Sequence, residues 1–366
     1  MRVDKIALNG FRNYEWETVS FDAGTNVISG PNAQGKTNLL EAVYMLSCGR
    51  SFRTRFDREL VGFDYSEADI LADVYSHDRA QTINLRLRPE QTKKITVNGV
   101  RKTASELSEL MNVVLFCPDD LNLIKEGAAV RRRLLDNAIS QIRPRYGEIL
   151  SEFNKLYEHK TRILKDWREK PSLLDTLDEF SDGMCRASAQ LIRYRAAFTA
   201  RLNEAAPPIH REFSGEGEQL DIQYKTVSTV RDPFASAKEI YYDLCDHQEK
   251  HRQAELDSAQ CLSGAHKDDL EIAINGRPAR SFASQGQTRT AALSLKLAER
   301  EIFLAETGEY PVLLLDDVLS ELDSRRQEFV LNRIGGGQTL ITCCEDDDIS
   351  ARTGGKVLFI DKGRIR

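Results

Sequence analysis

A glycine-flanked loop near the start of the chain has the residue types and spacing of a phosphate-binding site. Residues 30–37 read Gly-Pro-Asn-Ala-Gln-Gly-Lys-Thr and match the P-loop pattern G-x-x-x-x-G-K-[ST] at every specified position. The glycines let backbone N–H groups turn toward phosphate oxygens, while Lys36 reaches the β and γ phosphates and the Thr37 hydroxyl binds Mg²⁺. The residues predicted to bind ATP or GTP are Gly30, Pro31, Asn32, Ala33, Gln34, Gly35, Lys36 and Thr37.

An apolar run near the end of the chain is followed by two carboxylates. Val312–Leu315 predicts a buried strand, and Asp316 and Asp317 come directly after it. A nucleotide site needs an acid that holds Mg²⁺ through water and a second group that orients the attacking water. We assign the first role to Asp316 and the second to Asp317, at a position where many such ATPases carry Glu. The alternative is that the two aspartates only cap a turn after the strand.

A serine turn precedes a helix that we predict from about residue 287 to residue 306. Ser284 could cap this helix, and local capping is the simpler interpretation of Ser284-Gln285-Gly286-Gln287. The order of motifs favours a larger role, because the serine turn, the acidic strand and Ser320-Glu321-Leu322-Asp323 follow one another as in ABC-type ATPases. In those proteins the serine contacts a γ-phosphate that a second subunit binds. We therefore assign catalytic roles to Lys36, Asp317 and Ser284.

Two kinds of periodicity surround these motifs. Residues 26–29 predict a strand that leads into the loop, and alternation at 70–74 and 83–87 predicts half-buried antiparallel strands. From Pro144 the apolar spacing becomes helical, which predicts two helices in a hairpin, the second ending before Pro207-Pro208.

The predicted fold class is therefore α/β. An ABC-type P-loop ATPase head is expected from both chain ends, residues 1–116 and 259–366. It is interrupted by an inserted helical domain, residues 117–258, which bears a short antiparallel helical arm.

The charge of the chain is acidic overall but unevenly distributed. The 366 residues include 51 basic and 57 acidic side chains, a net charge of −6. Residues 125–201 carry an excess of basic residues, so any DNA contact must be local. A solvated helix face is the alternative interpretation of such charges. The candidate DNA contacts are Arg50, Arg53, Arg55 and Arg58 after the P-loop helix, and Arg186, Arg193, Arg195 and Arg201 on a later helix.

Several structural classes are excluded by composition. No apolar run approaches the roughly 18 residues that span a bilayer, so we expect no membrane partner. The first residues lack the apolar core of a signal peptide, which predicts a cytoplasmic protein. The seven cysteines include no Cys-x-x-Cys pair, which argues against a disulfide framework and a zinc ribbon.

Several runs of the sequence resemble the RecF family of bacterial DNA repair proteins. The resemblance extends over nearly the whole chain and is far more specific than a P-loop alone. The matching runs are Leu8-Asn9-Gly10-Phe11-Arg12-Asn13-Tyr14, residues 35–42, residues 49–54, residues 131–136, His266-Lys267-Asp268-Asp269, Ser284-Gln285-Gly286-Gln287 and residues 315–323.

This resemblance implies an SMC-like ABC-type ATPase head without a long coiled coil. Such a protein binds ATP and Mg²⁺, forms a homodimer on ATP, and binds single- and double-stranded DNA at gaps or junctions. It acts in recombinational repair, the SOS response and replication-fork maintenance, where it helps RecR and RecO to load RecA and is a weak ATPase. The resemblance also places Arg12, Asn13, Gln287 and Asp323 at the nucleotide.

Two positions depart from the expected pattern. After the strand near residues 339–342, many ABC ATPases carry a histidine that senses the γ-phosphate, whereas this chain has Thr342-Cys343-Cys344. Slow hydrolysis would be consistent with that change. Lys267 stands where the family usually has Arg, which keeps the charge but alters the donor geometry.

Three other functions are compatible with parts of the sequence. A transporter-type ABC ATPase would need a docking surface for a membrane partner, and the RecF-like start of the chain argues against it. An ABC-type nuclease would need a Toprim domain after the head, yet only 43 residues (366 minus 323) follow Asp323. A non-catalytic SMC-like scaffold remains as an alternative.

Overall fold

The computed structural model describes residues 1–215, 217–344 and 347–366. These residues form two compact units, one of residues 1–121 and 295–366 and the other of residues 122–294. None of the helices in these ranges has the length and apolarity that a bilayer crossing requires.

Strands and helices are numbered separately along the chain. The strands are β1 (Arg2–Phe11), β2 (Tyr14–Ser20), β3 (Thr25–Ser29), β4 (Ala68–Ser76), β5 (Arg79–Arg88), β6 (Gln91–Val97), β7 (Val100–Lys102), β8 (Val113–Phe116), β9 (Leu220–Lys225), β10 (Asp269–Ile274), β11 (Arg277–Pro278), β12 (Val312–Leu315), β13 (Thr339–Cys343), β14 (Lys356–Asp361) and β15 (Arg364–Ile365). The helices are α1 (Lys36–Cys48), α2 (Ala104–Leu107), α3 (Ala128–Ile142), α4 (Pro144–Asp166), α5 (Leu177–Ser214), α6 (Ala237–Ser258), α7 (Ala279–Phe282), α8 (Gln285–Thr307), α9 (Ser324–Arg333) and α10 (Asp347–Thr353).

The first unit contains an antiparallel sheet with strand order β2-β1-β4-β5-β6-β7. Ile70 on β4 lies opposite Leu85 on β5, and both are fully buried, as the alternation in the sequence predicted. Asn98 and Gly99 have φ values of 49° and 80°, so they form the turn between β6 and β7 that these residue types favour.

A second sheet in the same unit has the order β15-β14-β3-β13-β12-β8. From β14 to β8 each neighbouring pair is parallel, and Val312–Leu315 is buried along its whole length. Continuous burial is typical of a parallel strand that is covered on both faces. Because parallel strands end at the same edge, the loop after β3 and the aspartates after β12 come together there.

The second unit is organised around the long helix α5, which packs against α3, α4, α6 and β9. The prediction that this helix ends before Pro207-Pro208 was wrong, since α5 continues to Ser214. Ile209 and Phe213 lie beyond the prolines and are buried. Their burial continues the apolar face and offsets the backbone hydrogen bonds that the prolines remove.

The compact units differ from the predicted domains mainly at the second boundary. Residues 259–294 were predicted to belong to the head, but β10 pairs along its length with β9 in the second unit. Arg131 also forms a bidentate ion pair with Asp269, at 2.7 and 2.9 Å. These contacts explain the unit boundary; the functional domain boundaries stay a prediction.

Arg195 was named among the candidates for DNA contact, and its burial contradicts that role. Its guanidinium is buried and lies 2.9 Å from Asp136 and 2.8 Å from Asp268. It also donates to the carbonyl of Ala265 at 2.7 Å. The physical reason is position, because Arg195 follows Leu191 by one helical turn and lies on the buried side of α5.

Protonation of His266 should destabilise the second unit in mild acid. The imidazole is half-buried beside Tyr157, and its partial loss of solvent lowers the pKa of His266 to about 4 from 6.5. The neutral form is therefore favoured on folding. The stabilising contribution of neutral His266 to the free energy of unfolding is fully present above pH 6.5. Between pH 6.5 and pH 4 this contribution falls by about 1.4 kcal/mol per pH unit.

Urea unfolding of the wild type and His266→Gln, followed by Trp167 fluorescence from about pH 7.5 to about pH 5, tests this expectation. The wild type should lose stability more steeply than the variant as the pH falls. Parallel profiles for the two proteins would show that His266 does not carry this effect.

Candidate nucleotide-binding site

The predicted P-loop connects β3 to α1, and its two glycines adopt conformations that other residues rarely do. Gly30 has a φ of 143°, and a Cβ at this position would lie 2.3 Å from the carbonyl oxygen of Ile360. Gly35 has a φ of 117°, and a Cβ there would lie 2.8 Å from the side-chain amide of Asn13. Sterics therefore require glycine at both ends of this loop.

The ammonium group of Lys36 lies inside the curve of the loop. Its Nζ donates to the carbonyls of Gly30 at 2.7 Å and Pro31 at 3.0 Å, and the side chain is almost fully buried. A lysine held in this way is available to phosphate oxygens without leaving the loop, as the P-loop pattern predicts.

Two turns from other parts of the first unit hold the loop in place. Asn13 donates to the carbonyl of Gln34 at 2.8 Å, and the Tyr14 hydroxyl donates to the carbonyl of Gly35 at 2.9 Å. From the opposite end of the chain, the Gly363 N–H donates to the same Gln34 carbonyl at 3.0 Å. Asn13 thus contacts the loop backbone in this structure, and its predicted contact with nucleotide stays a prediction.

The two predicted metal ligands meet directly. The Thr37 hydroxyl donates to Oδ1 of Asp316 at 2.9 Å, although the residues are 279 positions apart. Burial raises the pKa of the Asp316 carboxyl, while hydrogen bonds from Thr37 and Thr342 oppose that rise. A hydroxyl and a carboxylate are oxygen donors of the kind Mg²⁺ prefers, and a cation beside them would favour the ionised carboxylate. The donor set therefore fits magnesium.

Thr342 links both aspartates and was not assigned a role from the sequence. Its hydroxyl lies 3.0 Å from Oδ1 of Asp316 and 3.4 Å from Oδ1 of Asp317, and it accepts the Asp317 N–H at 2.8 Å. Asp317 has a φ of 51°, in the left-handed region. A role for Thr342 could have been predicted from its position at the end of a strand. That strand, β13, lies between β3, which carries the P-loop, and β12, which carries the aspartates.

Arg12 pairs with a buried carboxylate that sequence reasoning missed, and its predicted contact with nucleotide stays a prediction. The guanidinium of Arg12 donates to both oxygens of Glu41, at 2.9 and 2.8 Å, and to the carbonyl of Glu59. The Glu41 side chain has no exposed surface and also accepts the Ser51 hydroxyl at 2.5 Å. The bidentate pair holds the turn after β1 against α1.

The remaining predicted nucleotide ligands occupy helix N-termini. Asp323 caps α9, where its side chain accepts the Arg326 N–H at 3.0 Å. In the second unit, Ser284 and Gln287 form a reciprocal cap at the start of α8, at 3.2 and 2.8 Å. The predicted cap is therefore formed, and the roles of these residues toward nucleotide stay predictions.

An exposed cysteine lies next to the P-loop, just beyond β13, where a histidine was expected. Cys344 donates from Sγ to the side-chain oxygen of Asn32 at 2.9 Å, and its sulfur lies 4.0 Å from Nζ of Lys36. A cysteine at this point supplies a weaker hydrogen-bond donor than an imidazole.

Comparison with known proteins agrees with this geometry. A family model described as RecF/RecN/SMC N terminal domain matches residues 2–352. DNA replication and repair protein RecF of Acetivibrio thermocellus is 38% identical over 362 residues, which cover 98% of each protein. The chain belongs to the RecF family. The RecF protein of Desulforamulus reducens is 40% identical over 343 residues, covering 93% of this chain and 92% of the relative.

Solved structures support the same RecF assignment. The recombination mediator protein RecF with ATP, from the RecFOR pathway, has a TM-score of 0.90 and 36% identity, covering 100% of this chain and 96% of that one. An Smc head domain from Pyrococcus furiosus has a TM-score of 0.55 at 17% identity, which shows the fold alone. The predicted α/β fold of an ABC-type ATPase head, with helices added to it, is confirmed.

Removing Arg12 should leave the Glu41 carboxylate buried without its bidentate partner. We expect Arg12→Ala to lower the free energy of unfolding by about 2 kcal/mol in the absence of nucleotide. The buried carboxylate loses its two shortest charged hydrogen bonds and keeps the Ser51 hydroxyl and Arg53 at 3.5 Å. Glu41→Gln in the Arg12→Ala background should restore part of the loss. Chemical denaturation of the four proteins in the double-mutant cycle measures the coupling, and purely additive losses would contradict it.

Replacing Thr342 with Val should impair ATP turnover, because Val keeps the shape but leaves the Asp317 N–H without its acceptor. Without this hydrogen bond the Asp317 backbone is less firmly positioned, so turnover should fall by roughly 10- to 100-fold if Asp317 orients the water. Thr342→Ser retains the hydroxyl and should keep near wild-type turnover. Phosphate release assays at saturating ATP compare the variants, and equal rates for Val and Ser would contradict the role.

Proposed function

We propose that this chain is an ATP-dependent DNA-binding protein of recombinational repair and replication-fork maintenance. Relatives of nearly equal length are DNA replication and repair proteins of the RecF type, and one solved relative is described with ATP. The observation that carries the proposal is the direct contact between Thr37 and Asp316, beside the Lys36 ammonium.

The residues of the first unit have separable tasks toward nucleotide. Lys36 would exchange the carbonyls of Gly30 and Pro31 for phosphate oxygens, and Thr37 and Asp316 would hold Mg²⁺. When bound, the metal neutralises charge on the phosphates. Asp317, held by Thr342, would orient the attacking water. Cys344 in place of an imidazole supports slow turnover, as expected of a switch.

ATP would join two copies of the chain. Ser284 is exposed at the start of α8, where its cap and the helix N-terminus favour an anion. In the closed dimer, Ser284 of one copy would contact the γ-phosphate bound by Lys36 of the other, with Gln287 and Asp323 beside it. The nucleotide then stabilises the interface, and hydrolysis releases it.

The closed dimer would present cationic surface to the DNA backbone. Such binding weakens with salt and depends little on base sequence. By resemblance to the RecF family, we propose RecR and RecO as partners, with loading of RecA at single-strand gaps as the outcome.

Size-exclusion chromatography with light scattering tests ATP-driven dimerisation. The wild type should be a monomer without nucleotide and a dimer with Mg-ATP, while Lys36→Arg and Ser284→Arg should each stay monomeric. Ser172→Arg, an exposed serine in the same unit, is the matched control and should dimerise.

Mixing the two defective variants makes the test specific for a shared site. A mixed dimer contains one intact site, formed by Lys36 of the Ser284→Arg copy and Ser284 of the Lys36→Arg copy. The mixture should therefore recover part of the dimerisation. If the mixture remains monomeric while the wild type dimerises, the two residues do not meet across an interface.

A further inference from the structure

A cleft in the second unit is lined by cations and aromatic rings. Its volume is about 1010 Å³, which is at the upper end for ligand pockets and sufficient for several nucleotides. Its lining includes the cations Arg145, Arg193 and Lys238 and the aromatic residues Phe234, Tyr241 and Tyr242.

The cleft is built from faces of three helices and the turn before one of them. Arg145 lies in the first turn of α4, while Arg186 and Arg193 lie two turns apart on α5. Phe234 precedes α6, and Lys238 lies in its first turn. All of these residues belong to one compact unit, so the cleft does not depend on how the two units are arranged.

The charge of the cleft is positive and largely uncompensated. Arg145, Arg193 and Lys238 are exposed and have no ion-pair partner within the described part of the chain. Arg186 pairs with Asp182 at 2.8 Å, and that carboxylate also accepts the hydroxyl of Tyr241. The cleft therefore retains three cations that can meet phosphate groups.

Two of the aromatic rings that line the cleft, Phe234 and Tyr242, are largely exposed. Phe234 and Tyr242 are each 58% exposed, although large apolar rings are normally buried. The Tyr241 and Tyr242 rings lie with centroids 5.3 Å apart, and Nζ of Lys238 lies 6.0 Å from the Tyr242 centroid. Exposed rings beside cations can stack on unpaired bases while the cations hold the backbone.

We propose that this cleft binds single-stranded DNA, with bases stacked on Phe234 and Tyr242 and phosphates held by Arg145, Arg193 and Lys238. In a duplex the bases stack on one another and leave their faces unavailable to the rings, so the cleft selects unpaired strands. The inference rests on the proposed function for the choice of DNA, and it names a contact that needs neither ATP nor a dimer.

Fluorescence anisotropy with a labelled oligothymidine, without nucleotide, tests the stacking. Phe234→Ala and Tyr242→Ala should each weaken binding roughly 5- to 150-fold, because stacking contributes about 1–3 kcal/mol per base. Tyr242→Phe keeps the ring and should bind nearly as the wild type. Trp16→Ala, an exposed ring in the other unit, is the matched control and should have no effect.

The cationic part of the proposal is tested by salt dependence. Arg193→Gln or Lys238→Gln should weaken binding and reduce the slope of log K against log salt by about 0.7 for each lost phosphate contact. Lys94→Gln, an exposed lysine outside the cleft, should leave the slope unchanged. An oligomer of abasic nucleotides should bind weakly, since it offers phosphates without bases.

Three results would overturn the inference. These are oligothymidine binding that is insensitive to the Phe234 and Tyr242 substitutions, equal affinity for the abasic oligomer, or tighter binding to a duplex of the same length. An acidic peptide that binds in the cleft while oligothymidine does not would assign the surface to a protein partner instead. The dimerisation assay is independent of these measurements. If the wild type binds oligothymidine in the cleft but does not dimerise with Mg-ATP, the proposed ATP-driven dimer is refuted and the inference about the cleft stands.

Discussion

The hydrogen bond between Thr37 and Asp316 depends on the register of three neighbouring parallel strands. β3 carries the P-loop, β12 carries the aspartates, and β13 between them supplies Thr342. Because these strands end at one edge of the sheet, residues from distant parts of the chain arrive within hydrogen-bonding distance. A shift in either of the two registers, β3 with β13 or β13 with β12, would separate the hydroxyl from the carboxylate, and the shared oxygen-donor set would be lost.

The surrounding contacts keep that edge rigid. The turn after β1 supports the P-loop backbone through Asn13 and Tyr14, and Gly363 near the end of the chain supports it from another side. Arg12 is held on the buried carboxylate of Glu41, which connects the same turn to α1. A loop fixed from several directions can present its N–H groups with little rearrangement, which is the main requirement of a phosphate site.

The second unit separates charges that are adjacent in sequence. Arg193 and Arg195 are two residues apart on α5, so their side chains point to nearly opposite sides of the helix. Arg195 is buried between Asp136 and Asp268, where its charge is compensated. Arg193 faces solvent, where its charge remains available to a ligand. The same residue type thus stabilises the unit at one position and can serve recognition at the other.

The local chemistry of this protein was determined by the sequence itself. The P-loop spacing, the apolar strand before Asp316 and the capping residue Ser284 each depend on neighbours along the chain, so patterns sufficed to find them. The resemblance to the RecF family rested on the same short runs. The alternation of β4 and β5 was equally local, because side chains on a strand alternate between its two faces.

Contacts between distant residues were decided only by the tertiary structure. Glu41 and Thr342 have no distinguishing pattern of their own, and they acquire a role because folding places them beside Arg12 and the two aspartates. The passage of α5 through Pro207-Pro208 and the burial of Arg195 have the same origin. In each case, burial and pairing with residues far along the chain outweighed the local tendency of proline to end a helix or of arginine to face solvent. A short stretch of sequence does not contain those distant partners.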